Sequence, residues 1–165
     1  MFDWKTRRQK LIEGYAQLIG RYRWDWFATL TFRGSASTSR GKRLFGLWIS
    51  DIERRDGGPL FRWFRVGEKG REDNNLHYHV LIGGLSADRY PGPWEQRWYD
   101  LAGSDGLVDY FDPEDNGIYY MLKTLDPDED LDFDTNLDDI GFEFASQTPL
   151  TGEWAVNGRK SKKRP

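Results

Sequence analysis

"LHYHVLIGG", Leu76–Gly84, contains both histidines of the 165-residue chain, one residue apart in an apolar run. Aliphatic and aromatic residues at this density, closed by two glycines, read as a β-strand. Successive strand side chains alternate in face. His77 and His79 therefore share one face, about 7 Å apart, and Tyr78 takes the other. Two imidazoles so placed can bind one metal ion. An isolated His-x-His also fits two half-exposed histidines on an ordinary sheet, so the neighbouring sequence has to decide.

Upstream, "FRWFRVGE", Phe61–Glu68, alternates like a strand, and "KGREDNN", Lys69–Asn75, is turn material. The two strands then form an antiparallel hairpin. Glu68 ends the first strand, and the turn returns the chain to His77, which brings a carboxylate beside the imidazoles. Such an N,N,O donor set leaves coordination positions free for water or a phosphate oxygen. The chain has no cysteine, so no thiolate competes. Mg²⁺ or Mn²⁺ suits the set, and Zn²⁺ or Fe(II) also accepts it. The alternative for Glu68 is a surface acid paired with Lys69 or Arg71.

Around the hairpin the remaining elements follow from periodicity. "WKTRRQKLIEGYAQLIG", Trp4–Gly20, sets Trp4, Arg8, Leu11, Ile12, Tyr15, Leu18 and Ile19 near helical spacing, an amphipathic helix within 3–20. "WDWFATLTF", Trp24–Phe32, is a strand with Trp26, Ala28, Leu30 and Phe32 on one face and Phe27, Thr29 and Thr31 on the other. "GSASTSRG" is a loop before the helix "KRLFGLWISDIERRDG", which stops at Gly57-Gly58-Pro59. "PGPWEQRWYDLAG" is a short helix, "GLVDYFD" a strand, and "PEDNGIYYMLKTL" a helix opened by Pro113 with acids in its first turn. The order α-β-α-β-β-α-β-α predicts an α+β fold with a central antiparallel sheet flanked by helices. Residues 1–125 form one domain. An acidic segment, 126–158, follows. Its run "DPDEDLDFDTNLDD" reads as a mobile loop, and "IGFEFASQ" offers a further strand. The basic tail "RKSKKRP", 159–165, is expected to be disordered.

The net charge of −3 conceals a split. Residues 1–71 hold 16 Lys/Arg against 7 Asp/Glu, and residues 72–158 hold 3 against 20. A pI near 5.5 argues weakly against a nucleic-acid partner. The uneven distribution removes most of that argument, because binding answers to local potential. No window approaches the ~18 apolar residues of a membrane span. "MFDWKTRRQK" lacks the apolar core of a signal peptide, so the expectation is a cytoplasmic protein with no membrane partner.

"YYMLK", Tyr119–Lys123, adds a second chemical element. On a helix Tyr120 and Lys123 are i and i+3 and share a face. A phenol becomes a nucleophile when a nearby ammonium or metal favours its anion. Lys123 is the one lysine between Lys69 and Lys160, in an acidic half of the chain. The competing reading is an aromatic–aliphatic core stripe.

"FATLTF", then Glu68 with "HYHVLI", then "YYMLK", in that order, resembles the three motifs of HUH endonucleases, and within them the single-tyrosine rolling-circle replication initiators. The resemblance runs from about Trp24 to Leu125. It implies a Rep-nuclease-like sheet of ferredoxin-like or RRM-like type, with the His-x-His on an inner strand. It implies that His77, His79 and Glu68 hold Mg²⁺ or Mn²⁺. Tyr120 would attack a phosphodiester of single-stranded DNA, at an origin hairpin or nick site, to leave a 5′-phosphotyrosine and a free 3′-OH. Lys123 would position the tyrosine or the phosphate, and Thr29 and Thr31 would lie near the DNA. Arg33, Arg40, Lys42 and Arg43, with Arg21 and Arg23, are phosphate-contact candidates. The chain departs from the pattern in carrying Tyr119 beside Tyr120. It also has no phosphate loop: "GSASTSRGKR" spaces its glycines by six residues and lacks Ser/Thr after the lysine, so helicase and polymerase would come from the host or another protein. Alternatives are an insertion-sequence transposase with the same site, a non-catalytic module that binds single-stranded DNA, and an Fe(II) oxygenase. The last leaves Tyr120 and Lys123 without roles.

Overall fold

The structure, a computed structural model, describes residues 3–70, 75–87, 89–126 and 132–137. The central strand is β3, Leu76–Leu85. It pairs antiparallel with β1, Trp26–Thr31, on one side and with β2, Gly57–Lys69, on the other. β4, Gly106–Tyr110, adds outside β1, and β5, Phe133–Thr135, outside β2. The sheet order is β4-β1-β3-β2-β5. With α1, Trp4–Ile19, α2, Thr38–Asp56, α3, Gly92–Ala102, and α4, Gly117–Leu122, the described residues form an α+β fold, an open antiparallel sheet with helices on both faces. None of these helices is long and apolar enough to cross a membrane.

The alternation predicted for β1 is the alternation observed. Trp26, Ala28 and Leu30 are buried, and Phe27, Thr29 and Thr31 are half-buried on the other face. Even-numbered residues of β3, Leu76, Tyr78, Val80 and Ile82, join Trp48, Ile52, Trp94 and Trp98 of α2 and α3 in one core. Leu81 joins Phe64, Val66 and residues of α1 and α4 in a second core on the opposite face. Trp26, Trp48 and Trp98 are among the largest fully buried side chains, and truncating any of them to alanine is expected to cost about 3–5 kcal/mol. Buried indole N–H groups find acceptors: Trp48 donates to the Trp94 carbonyl at 2.9 Å and Trp98 to the Thr31 carbonyl at 2.8 Å.

Several element bounds differ from expectation, β2 among them, which starts at Gly57 instead of Phe61; three differences have a clear local cause. α2 starts at Thr38 within the expected loop, because the Ser37 hydroxyl caps it by accepting from the Arg40 amide at 3.2 Å. α4 starts at Gly117 instead of Pro113. Asp112 accepts the Glu114 amide with its side chain and the Asp115 amide with its carbonyl, which turns the acids into a preceding loop. The third is a correction to the acidic run. Phe133–Thr135 is a strand, held because Phe133 stacks on Phe64 and meets Tyr15 edge-on, while Thr135 and Asn136 bond β2 backbone at Trp63 and Phe61. The sheet therefore continues past residue 125. The strand expected in "IGFEFASQ" and the 159–165 tail lie outside the described residues.

Two glycines set the position of β3. Gly41 lets α2 lie against Leu76 and Tyr78, where a Cβ would press on both buried side chains. Gly84 has φ +74° and faces the Leu60 carbonyl, next to a register shift between Gly57 and Arg62. Gly84→Ala is expected to lower stability by about 1–3 kcal/mol. Urea unfolding checks this: the midpoint should fall while the slope stays unchanged.

Candidate metal centre

The β2–β3 register sets Glu68 directly opposite His77 and Val66 opposite His79. Glu68, His77 and His79 lie on the face shared with α1 and α4. Glu68 Oε2 is 3.3 Å from His77 Nε2 and 3.2 Å from His79 Nε2. The two imidazole rings are 5.4 Å apart at 85°. One ligand atom from each residue falls within 4.8 Å of the others, so the three side chains form a group that can hold a metal ion. The donor set suits a divalent cation: one carboxylate lies between two Nε2 atoms, with no thiolate. His77 and Glu68 stay half-buried, so the group is reachable from solvent.

His79 is 2% exposed and enclosed on every side. Phe27 stacks on its ring at 6.0 Å and 28°. Thr29 Oγ1 lies 3.3 Å from its Nδ1, across the β1–β3 pair that sets Thr29 opposite His79. Metal coordination through Nε2 requires the Nδ1–H tautomer, whose proton then goes to the Thr29 hydroxyl. Burial pushes the His79 pKa below its ordinary value, with His77 and Lys123 acting in the same direction against Glu68. At neutral pH the imidazole is therefore predominantly uncharged, as coordination requires.

Tyr120 lies on α4 with its ring 5.2 Å from His79, edge to face at 78°, and half of its surface exposed. Lys123 Nζ sits 3.8 Å from the Tyr120 ring centroid. Tyr119, its neighbour, packs instead against the α1–α4 core. The fold thus brings Glu68, His77, His79, Thr29, Tyr120 and Lys123 to one place.

The other residues singled out in the sequence sit elsewhere. Thr31 is opposite His77, but its hydroxyl ties the α3–β4 loop through the Asp105 carbonyl and Ser104 Oγ, each at 2.7 Å. Arg33 is exposed just beyond β1 and lies near Gly103. Arg40, Lys42 and Arg43 are on the first turns of α2, at the same end of the sheet but in the layer behind it. Arg21 and Arg23 precede β1, at the opposite end. Phe27 was visible on the right strand face, but its stacking on His79 depends on a register that no local signal encodes.

Comparison of the chain with known protein families, with curated proteins and with solved structures finds no match.

Two predictions follow from this geometry. His79→Ala is expected to abolish Mn²⁺ binding in calorimetry, and Thr29→Val to weaken it about tenfold through loss of the Nδ1 acceptor. The second concerns the metal-free protein. The folded state resists protonating His79, whereas the unfolded chain takes the proton near pH 6.5. The stability this contributes is full above that pH and is lost as pH falls below it, toward the lowered folded-state pKa. In chelator, the urea midpoint should fall more steeply on acidification for the native chain than for His79→Gln.

Proposed function

We propose that this chain is an HUH-type endonuclease, a replication initiator that nicks single-stranded DNA with Tyr120 as nucleophile. The observation that carries the reading is the half-exposed Tyr120 ring against the buried face of His79, beside a Glu–His–His group able to hold a metal. The position of the His-x-His on the central strand of an antiparallel sheet agrees with it.

Glu68 Oε2 and the Nε2 atoms of His77 and His79 would hold Mg²⁺ or Mn²⁺. That cation supplies Lewis-acid polarisation of the scissile phosphodiester. The Tyr120 oxygen attacks phosphorus. The new O–P bond forms as the P–O3′ bond breaks, the phenolic proton passes to solvent, and the leaving 3′ oxygen takes up a proton. The products are a 5′-phosphotyrosine and a 3′-OH that can prime a polymerase supplied, with a helicase, by the host or another protein. The Lys123 ammonium places positive charge beside the group on which negative charge develops. Arg33, at the site's end of the sheet, is the phosphate contact best placed to guide the strand in. Arg40, Lys42 and Arg43, in the layer behind, would serve a path around the α2 side.

The test is a denaturing gel of the protein incubated with Mn²⁺ and labelled single-stranded DNA from its own replicon. A metal-dependent covalent adduct is expected. Tyr120→Phe should abolish the adduct and leave metal affinity intact, and Tyr119→Phe should retain it. An adduct that survives Tyr120→Phe would sink the assignment. Metal binding with no adduct on the correct DNA would leave a binding module in its place.

A further inference from the structure

α4 has six residues, too few for a helix to hold itself in water. Its N-cap residue, Asn116, makes no side-chain capping bond. The helix ends in a turn, where the Lys123 amide donates to the Tyr120 carbonyl and the Leu125 amide to the Leu122 carbonyl. The carbonyls of that turn, at Lys123 and Leu125, are met from α1, more than a hundred residues away in the chain. Arg8 Nε donates to the Leu125 carbonyl at 3.2 Å, and Arg8 Nη2 donates to the Lys123 carbonyl. One turn earlier, Trp4 places its ring 5.7 Å from the Arg8 guanidinium and donates its indole N–H to Asp126 Oδ1 at 3.3 Å. Trp4 and Arg8 are i and i+4 on one face of α1, so a single helix face grips residues 123–126.

The apolar contacts between the two helices act differently. Ile12, Ala16 and Ile19 meet Ile118, Met121 and Leu122 in one cluster, which sets how close α4 lies. Such contacts are non-directional. A guanidinium bonded to two carbonyls is directional, and it places positive charge at the negative end of the helix. Its bonds to Lys123 and Leu125 tie the turn after α4 to α1, and the placement of that turn bears on where Tyr120 and Lys123 point. Glu68, His77 and His79 are on β2 and β3, outside this grip.

We propose that Arg8 is a positioning residue for Tyr120, holding the tyrosine at the metal centre by clamping the end of its helix. The proposal rests on the nucleophile assignment above. It makes the amino-terminal helix part of the nicking machinery while leaving metal binding to the hairpin alone.

The experiment places a fluorotyrosine at position 120 and follows its fluorine NMR signal in the otherwise native protein, in Arg8→Ala, in Arg8→Lys and in the exposed control Lys5→Ala. Bound Mn²⁺ should broaden the signal in the native protein and in the control. Arg8→Ala should move the signal and weaken the broadening at unchanged Mn²⁺ affinity. Arg8→Lys, able to reach one carbonyl, should recover part of the effect. On DNA, Arg8→Ala should slow single-turnover adduct formation roughly tenfold to hundredfold. The half-saturating DNA concentration should stay within about twofold. An unchanged signal and rate would overturn the proposal, as would loss of Mn²⁺ affinity along with them, which would mark Arg8 as a general fold contact. Absence of any adduct in the native protein would sink the nicking reading alone. The NMR comparison needs no DNA and would still decide whether Arg8 holds Tyr120.

Discussion

Everything at the metal centre depends on the register of β2 against β3. With Glu68 opposite His77, three ligand atoms converge. A slip of one residue would turn Glu68 to the opposite face and bring Gly67 or Lys69 into its place. Hydrophobic alternation is a weak guard here, because β3 is buried on both faces and reads as a nearly continuous apolar run. Individual positions hold the register instead. Gly70 donates to the Asn75 carbonyl at the turn, at 2.9 Å. Arg65 lies 4.2 Å from the ring centroid of Tyr78, the residue between the two histidines. At the far end Gly84 accepts a conformation and a carbonyl approach that another residue would resist.

The fold was legible where a local pattern determines it. Alternation marked β1 and β2, an apolar run closed by two glycines marked β3, the Glu68–His77 proximity followed from hairpin geometry, and Tyr120 with Lys123 followed from helical spacing. What was missed depends on distant partners. β5 was hidden because Asp132 and Asp134 make its sequence look solvated. Asp132 is drawn in by the buried Arg65, 3.4 Å away, and Phe133 by Tyr15 and Phe64. The place of Thr29 beside His79 Nδ1 needed the β1–β3 register, which nothing within β1 records. Tyr119 and Tyr120, adjacent and alike in the sequence, are separated by the fold: the first ring joins a core and the second borders the Glu68–His77–His79 group.

The acidic excess of the second half also becomes intelligible. Several of these carboxylates serve as internal acceptors: Glu95 for the Val108 amide, Asp112 for the Glu114 amide, and Asp132 for Arg65. In the first half Asp56 takes the Trp94 indole and Asp25 the Leu85 amide. Acids used in this way are bound into loops, helix ends and the sheet edge, so their number in the sequence reflects structural roles as well as surface charge.

The shortness of α4 has a dynamic consequence. A six-residue helix secured by one apolar face and a few side-chain bonds can detach at a smaller free-energy cost than strands in the middle of a five-stranded sheet. Amide exchange would then be fast across Ile118–Leu122 and slow across Tyr78–Ile82. The Glu68–His77–His79 group is a fixture of the architecture, whereas the presence of Tyr120 beside it is a population, maintained by an equilibrium between docked and detached α4.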